Sequence, residues 1–168
     1  MKKRLLFVSY LLFFVYPFFL ACRQLPKKAN ELVPEQLLGM KKTIILEGEA
    51  AIEDVKSKHI GRIENAQDIA IVNYGPARHP VLLWITLYPN KKIAQEENEK
   101  MAKAMIKYGS AWEKNLTTLT VEKKKIYHTS PDGYEEHYFW VEKNCLFYVK
   151  IPQIFQGKFT EIMQELKR

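Results

Sequence analysis

Cysteine is scarce: Cys22 and Cys145 are the only two in 168 residues. No disulfide framework can hold such a chain, and its stability must come from a packed core. Glycine is scarce too, seven in all and mostly at element ends, which leaves little from which to build a phosphate-cradling loop. The Gly-x-Ser-x-Gly elbow, the Cys-x-x-Cys-His haem attachment and the His-Glu-x-x-His zinc motif are all missing, so none of the reactions that announce themselves in sequence is announced here. There is no internal repeat and no low-complexity tract. Acidic residues are absent before Glu31, and that last absence frames what is present.

Lys2, Lys3 and Arg4 precede an apolar run from Leu5 to Ala21, broken near its end by Pro17 and stopped by Cys22. A basic start, an apolar core and a break before a small residue have the order of an export signal. The run is a little short for a comfortable membrane span. Phe19-Leu20-Ala21-Cys22 resembles the lipobox of bacterial lipoproteins. Ala21 and Cys22 match that pattern, while Phe19 and Leu20 stand where the family has leucine and a small residue. The resemblance implies that residues 1–21 are removed and that Cys22 becomes an acylated first residue, tying the chain to the membrane through lipid. It also implies, with Arg23 rather than aspartate after the cysteine, an outer-membrane location facing the periplasm in a two-membrane cell. An uncleaved anchor and a plain secreted chain are the alternatives. With Cys22 acylated, Cys145 has no intrachain partner, and its place in a strand pattern suits a small buried hydrophobe.

Removing 1–21 lowers the formal charge from +7 to +4, with 23 Lys and Arg against 19 Asp and Glu. The two signs are interleaved, as on an ordinary solvated surface. No dense basic stripe is present, and nucleic acid is not expected as a partner. Residues 22–40, with Pro26, Lys27, Lys28, Asn30 and Pro34, read as a polar tether whose far half is docked onto the domain by Leu32, Val33, Leu37 and Leu38. Residues 41–168 then form one domain.

Thr43–Leu46 is a strand. Glu49–His59 is a helix, with Ala51, Ile52 and Val55 on one face. Asp68–Tyr74 and Pro80–Tyr88 are an antiparallel pair, and the second is apolar on both faces, as a central strand should be. Lys91–Tyr108 is a helix opened by Pro89-Asn90, with Glu96–Lys100 and Glu99–Lys103 four apart. Thr117–Thr129 reads as one long strand. Ser130-Pro131-Asp132-Gly133 is a turn, followed by strands at 134–141 and 145–151 around a reversal at Glu142-Lys143-Asn144. Phe139, Val141, Phe147, Val149 and Ile151 are expected to share the buried face of this meander. Lys158–Lys167 is a last helix. The sum is α+β: an antiparallel sheet of about six strands with two or three helices packed on one face.

Of the four histidines, His59 lies on a helix face, His79 in a loop, and His128 and His137 on the two arms of the Asp132-Gly133 hairpin. A zinc site can be drawn from His128, His137, Glu135 and Glu136, since imidazole and carboxylate both suit that metal. The competing reading is solvated hairpin side chains. Cys145 is a poor nucleophile candidate, lying in a strand and not at a helix N-terminus that would lower its pKa. No catalytic residue and no cofactor is assigned. Tyr138, Trp140 and Tyr148 are expected to face away from the helices, either as a ligand or partner platform or as a surface covered by another element.

Glu49-Ala50-Ala51-Ile52, Leu83-Trp84-Ile85, Met101 and His137-Tyr138-Phe139-Trp140 give the mature part a loose resemblance to uncharacterised exported α+β domains, which implies an architecture and no activity. The expected function is therefore a lipid-anchored cell-envelope protein that binds a partner or small ligand. An envelope metal-binding protein or enzyme using the hairpin histidines, and an assembly factor for an envelope complex, are the alternatives.

Overall fold

A computed structural model describes residues 28–58, 63–107 and 111–167; the signal, Cys22 and His59 lie outside them. Among the described residues the chain is α+β, with one open antiparallel sheet of eight strands and four α-helices. The strands are β1 (Gln36–Leu37), β2 (Met40–Glu47), β3 (Asp68–Tyr74), β4 (Val81–Leu87), β5 (Thr117–Val121), β6 (Lys124–Thr129), β7 (Glu135–Glu142) and β8 (Cys145–Pro152). The helices are α1 (Gly48–Lys58), α2 (Lys91–Lys107), α3 (Ala111–Lys114) and α4 (Phe159–Glu165).

Spatial order across the sheet is β1-β2-β3-β4-β8-β7-β6-β5. The chain lays down four strands, crosses through α2 and α3 to the far edge, and meanders back until β8 pairs with β4. Two strands more than expected arise from two local causes. Residues 36–41 fold into a short hairpin, with Leu37 paired to Met40. The stretch read as one strand from 117 to 129 is broken by Glu122 and Lys123, both with positive φ (49° and 65°). This is a tight hairpin reversal made without the Asn-Gly or Asp-Gly that usually marks one.

Both faces of the sheet are covered, not one. Alternation along each strand sends Ala70, Val72, Leu83, Ile85, Trp140, Phe147 and Val149 to one face. There they meet α4 through Phe159, Ile162 and Met163, and the segment before β2 through Ala29, Val33 and Leu37. The other face carries Ile69 and Ile71 under Ala51 and Val55 of α1, and Tyr127 and Phe139 under Ala102 of α2. Residues 29–40, read from the sequence as the far part of a tether, are thus built into the first core. Tyr74 donates its hydroxyl to the Pro34 carbonyl (2.8 Å), and the Ala29 amide donates to Asp68 (2.6 Å).

Helix starts follow local chemistry. Asn90 caps α2, its Oδ1 accepting from the Ile93 amide at 3.0 Å, which satisfies one of the first-turn donors. The expected i,i+4 pairs along α2 give way to one i,i+3 pair within the helix and two tertiary ones. Lys100 meets Glu97 (2.6 Å) and Glu64 (3.6 Å), and Glu99 reaches Lys125 of β6 (2.9 Å). Gly75 has φ +89°, and an added Cβ would collide with the Met40 sulfur, so the β3–β4 reversal needs glycine there.

Lysine in the left-handed region costs about 1–2 kcal/mol more than glycine, partly offset by glycine's greater freedom when unfolded. Lys123→Gly should therefore raise stability by about 1 kcal/mol. The check is the urea midpoint at neutral pH, and an unchanged or lower midpoint would show that the turn is not strained.

Candidate functional site

The meander expected to carry chemistry is β6–β7–β8, and its registers decide what it can do. His128 lies opposite Tyr138, and Thr129 opposite His137. Directly opposed residues share a face and successive ones alternate. His128 and His137 therefore point to opposite faces of the sheet. The carboxylates divide the same way. Glu135 ion-pairs with Lys150 (2.9 Å) on the His137 side. Glu136 accepts from the Tyr138 hydroxyl (2.9 Å) and from Gln156 (3.2 Å) on the His128 side. The four residues proposed as a metal set do not converge, and among the described residues no group of three or more His, Cys, Asp or Glu side chains could hold an ion.

The β7–β8 reversal also differs from the expected one. It uses two residues, Lys143 and Asn144, so Glu142 pairs with Cys145, Trp140 with Phe147 and Phe139 with Tyr148. A three-residue reversal would shift the register by one and exchange the faces. Phe139 and Val141 accordingly lie on the α2 side, while Phe147, Val149 and Ile151 lie on the α4 side. Tyr138, Trp140 and Tyr148 do not make one surface. Tyr138 and Trp140 are 7 % and 2 % exposed, roofed by Phe159, whose ring stacks on Tyr138 at 3.8 Å and meets Trp140 edge-on at 5.8 Å. Tyr148 faces α2, edge-on to Trp84 at 5.9 Å.

On the α2 side His137 is 5 % exposed. Its Nδ1 lies 2.5 Å from the Tyr148 hydroxyl, and its ring meets Trp112 of α3 at 4.6 Å. Thr129 donates to the Trp112 carbonyl at 2.9 Å, holding α3 over the imidazole. Burial pulls the His137 pKa down to about 4, with Lys150 adding to the drop and Glu135 opposing it. A neutral imidazole hydrogen-bonded to a tyrosine under a tryptophan is closed off from solvent. On the other side His128 stacks on Tyr138 at 4.5 Å, and its Nδ1 is 3.3 Å from the Thr117 hydroxyl.

Cys145 is buried; its thiol points to the Asn144 side-chain Oδ1 at 3.7 Å, and burial pushes its pKa up to about 12. A thiol in that state is neither a nucleophile nor a metal ligand at neutral pH. His79 is exposed in the β3–β4 loop.

Sequence reasoning missed three features. Trp112 had no legible role, because the four-residue α3 that carries it is too short to show periodicity. Lys125, Glu99 and Tyr127 form one network between α2 and β6: Tyr127 donates to Glu99 at 2.7 Å, and Lys125 sits 4.4 Å above the Tyr127 ring. Tyr134 and Ile154 stand exposed (67 % and 62 %) at one end of the sheet. A turn signal before Tyr134 and Pro152 before Ile154 were the cues for those two.

Two outcomes test this geometry. Truncating the roof, Phe159→Ala, should cost about 3–5 kcal/mol, read as a lowered urea midpoint. For His137, the unfolded chain takes up a proton near pH 6.5 that the folded one refuses until about pH 4. Its contribution is present above pH 6.5 and is lost as pH falls towards 4, roughly 3 kcal/mol in all. Comparing urea midpoints at pH 7 and 4.5, His137→Gln should show a shallower loss than the parent, and equal slopes would refute the assignment.

No family model, no curated protein and no solved structure matches this chain, and the functional reading rests on its own residues.

Proposed function

We propose that this chain is a lipid-anchored cell-envelope protein whose α+β domain works by binding a partner, not by catalysis. The observation that carries the location is the opening stretch: three cations, a 17-residue apolar run from Leu5 to Ala21, and Ala21-Cys22 at its end. Export places the domain outside the cytoplasm, and acylation of Cys22 holds it at the membrane surface. In a two-membrane cell that surface is the periplasmic face of the outer membrane.

Support for binding over chemistry comes from what the reactive side chains are doing. His137 is closed in by Trp112 and Tyr148, Cys145 is buried and protonated, and Glu135 and Glu136 are engaged by Lys150 and Tyr138. Each is committed to holding the meander together. The partner is then an envelope component met at the surface of the domain.

Mass spectrometry of the N-terminus of the chain purified from its native membranes is the direct test. A diacyl- or triacyl-cysteine at position 22 is the expected result. An intact Met1, or an unmodified N-terminus in the soluble fraction, would replace the proposal by an uncleaved anchor or a secreted protein. Cys22→Ala should abolish the acylated species. Chemical crosslinking in intact cells should then capture the same envelope protein with the parent and in much smaller yield with Cys22→Ala.

A further inference from the structure

Unpaired lysines gather at one end of the sheet, and Ala29 is held at that same end. The Ala29 amide is held by Asp68, the first residue of β3, which pairs with Leu87 at the end of β4. Six peptide steps separate Cys22 from Lys28, a reach of about 21 Å at full extension. An anchor at Cys22 therefore keeps this end of the sheet beside the bilayer.

Three successive connections leave the sheet at that end. They are the β4–α2 turn with Lys91, the β7–β8 turn with Lys143 and the β5–β6 turn with Lys123. All three lysines are exposed, and among the described residues none has an ion-pair partner, in contrast to Lys124 and Lys167, which are paired with Glu142 and Glu122. The five strands from β4 through β8, β7 and β6 to β5 set them in a row about 19 Å long. Exposed acids stand at this end too: Glu122, beside Lys123 in the same turn, is paired with Lys167, while Glu47 and Glu49 lie on the β2–α1 side, away from the row. At the opposite end Arg78 and Lys41 share the edge with Asp132 and Glu136, and no such row forms.

Backbone geometry adds a second, independent observation. Lys123 and Lys143 occupy left-handed conformations (φ 65° and 53°), where glycine or asparagine would fold at lower cost. Lysine is held at both turn tips against local preference, and backbone outliers of this kind point to function.

We infer that the row of Lys91, Lys143 and Lys123 docks the domain onto anionic lipid headgroups, with the sheet standing end-on to the membrane and the Tyr134–Ile154 end turned away from it. This rests on the anchoring reading, which supplies proximity; the row supplies orientation. Juxtamembrane lysines are worth about 1 kcal/mol each against an anionic leaflet, so each should shift the ratio of docked to undocked molecules about fivefold.

The test uses the full chain purified from membranes and reconstituted in vesicles of phosphatidylcholine alone or mixed with phosphatidylglycerol, each containing nitroxide-headgroup lipid. Because Cys145 is buried, a fluorophore can be placed singly through Lys92→Cys at the basic end or Ala77→Cys at the other. With phosphatidylglycerol the label at 92 should be quenched strongly and that at 77 weakly, and the contrast should shrink without it or at high salt. Lys91→Gln/Lys123→Gly/Lys143→Gly should lose the contrast while keeping or raising the urea midpoint, so that unfolding cannot account for the loss. Equal quenching at both labels, or a contrast unchanged in the triple variant, would overturn the proposal. Flotation on phosphatidylcholine alone reads the anchor separately. If that fails, the row is judged by flotation on the mixed vesicles, where the triple variant should bind about a hundredfold less well, and equal binding would overturn it.

Discussion

The ladder between β4 and β8 is the contact on which the rest of the molecule depends. It joins residues 82–87 to residues 145–150 in unbroken antiparallel register, Leu82 opposite Lys150 through Leu87 opposite Cys145. On one side of it hangs the meander β1–β4, on the other the meander β8–β5. Each half would be an open sheet with two exposed apolar faces. Joined, they form continuous rows, such as Val72, Leu83, Val149 and Tyr138 on the α4 face and Ile71, Trp84, Tyr148 and Phe139 on the α2 face. The long sequence separation makes this pairing slow to find, and the local hairpins on both sides supply the surfaces it closes.

That central position was legible in the residues of β4. Val81, Leu83, Ile85 and Leu87 alternate with Leu82, Trp84 and Thr86, and a strand apolar on both faces needs cover on both. Carrying the same argument to the whole sheet would have placed helices on both faces. The one-face expectation failed because α4 is only seven residues long and the other half of its layer is irregular chain, Ala29 to Leu37. That segment carries Pro34 and two glutamates and shows little periodicity, yet it buries Ala29, Val33 and Leu37. Its apolar residues Leu32, Val33, Leu37 and Leu38 marked it for docking, but how deeply it enters the core, with Ala29 included, depends on the surface that receives it.

The four-residue metal set is split by alternation along β6 and β7, whereas the aromatic platform failed to assemble for a reason of one residue. Sequence signals locate hairpins better than they count the residues in a turn, and in a strand one residue exchanges the two faces. Asp132-Gly133 announced its turn, and Asp132 accepts from the Tyr134 and Glu135 amides as expected of such a residue. Lys143-Asn144 and Glu122-Lys123 announced theirs poorly or not at all. The aromatic residues were correctly seen to crowd this region, but their division into Tyr138 and Trp140 under Phe159 and Tyr148 under α2 follows from the turn length alone.

The same two turns hold non-glycine residues in left-handed backbone, as the β1–β2 turn does at Leu38. A sequence under pressure only to fold would place glycine or asparagine at positions 123 and 143 and gain stability. Both are instead lysines, set along the edge where the chain enters the domain, while Lys124 and Lys167 just beside them are neutralised by carboxylates. Paired charges hold α4 and the hairpins in place; unpaired ones at strained tips do nothing for the fold. Where local and global consistency part company, the residues concerned answer to something outside the fold. Here the nearest outside surface, on the anchoring reading, is the bilayer within reach of Cys22. On that reading the left-handed lysines at both turns and the hold of Asp68 on Ala29 at the same end of the sheet serve one arrangement, with the sheet standing on its basic end.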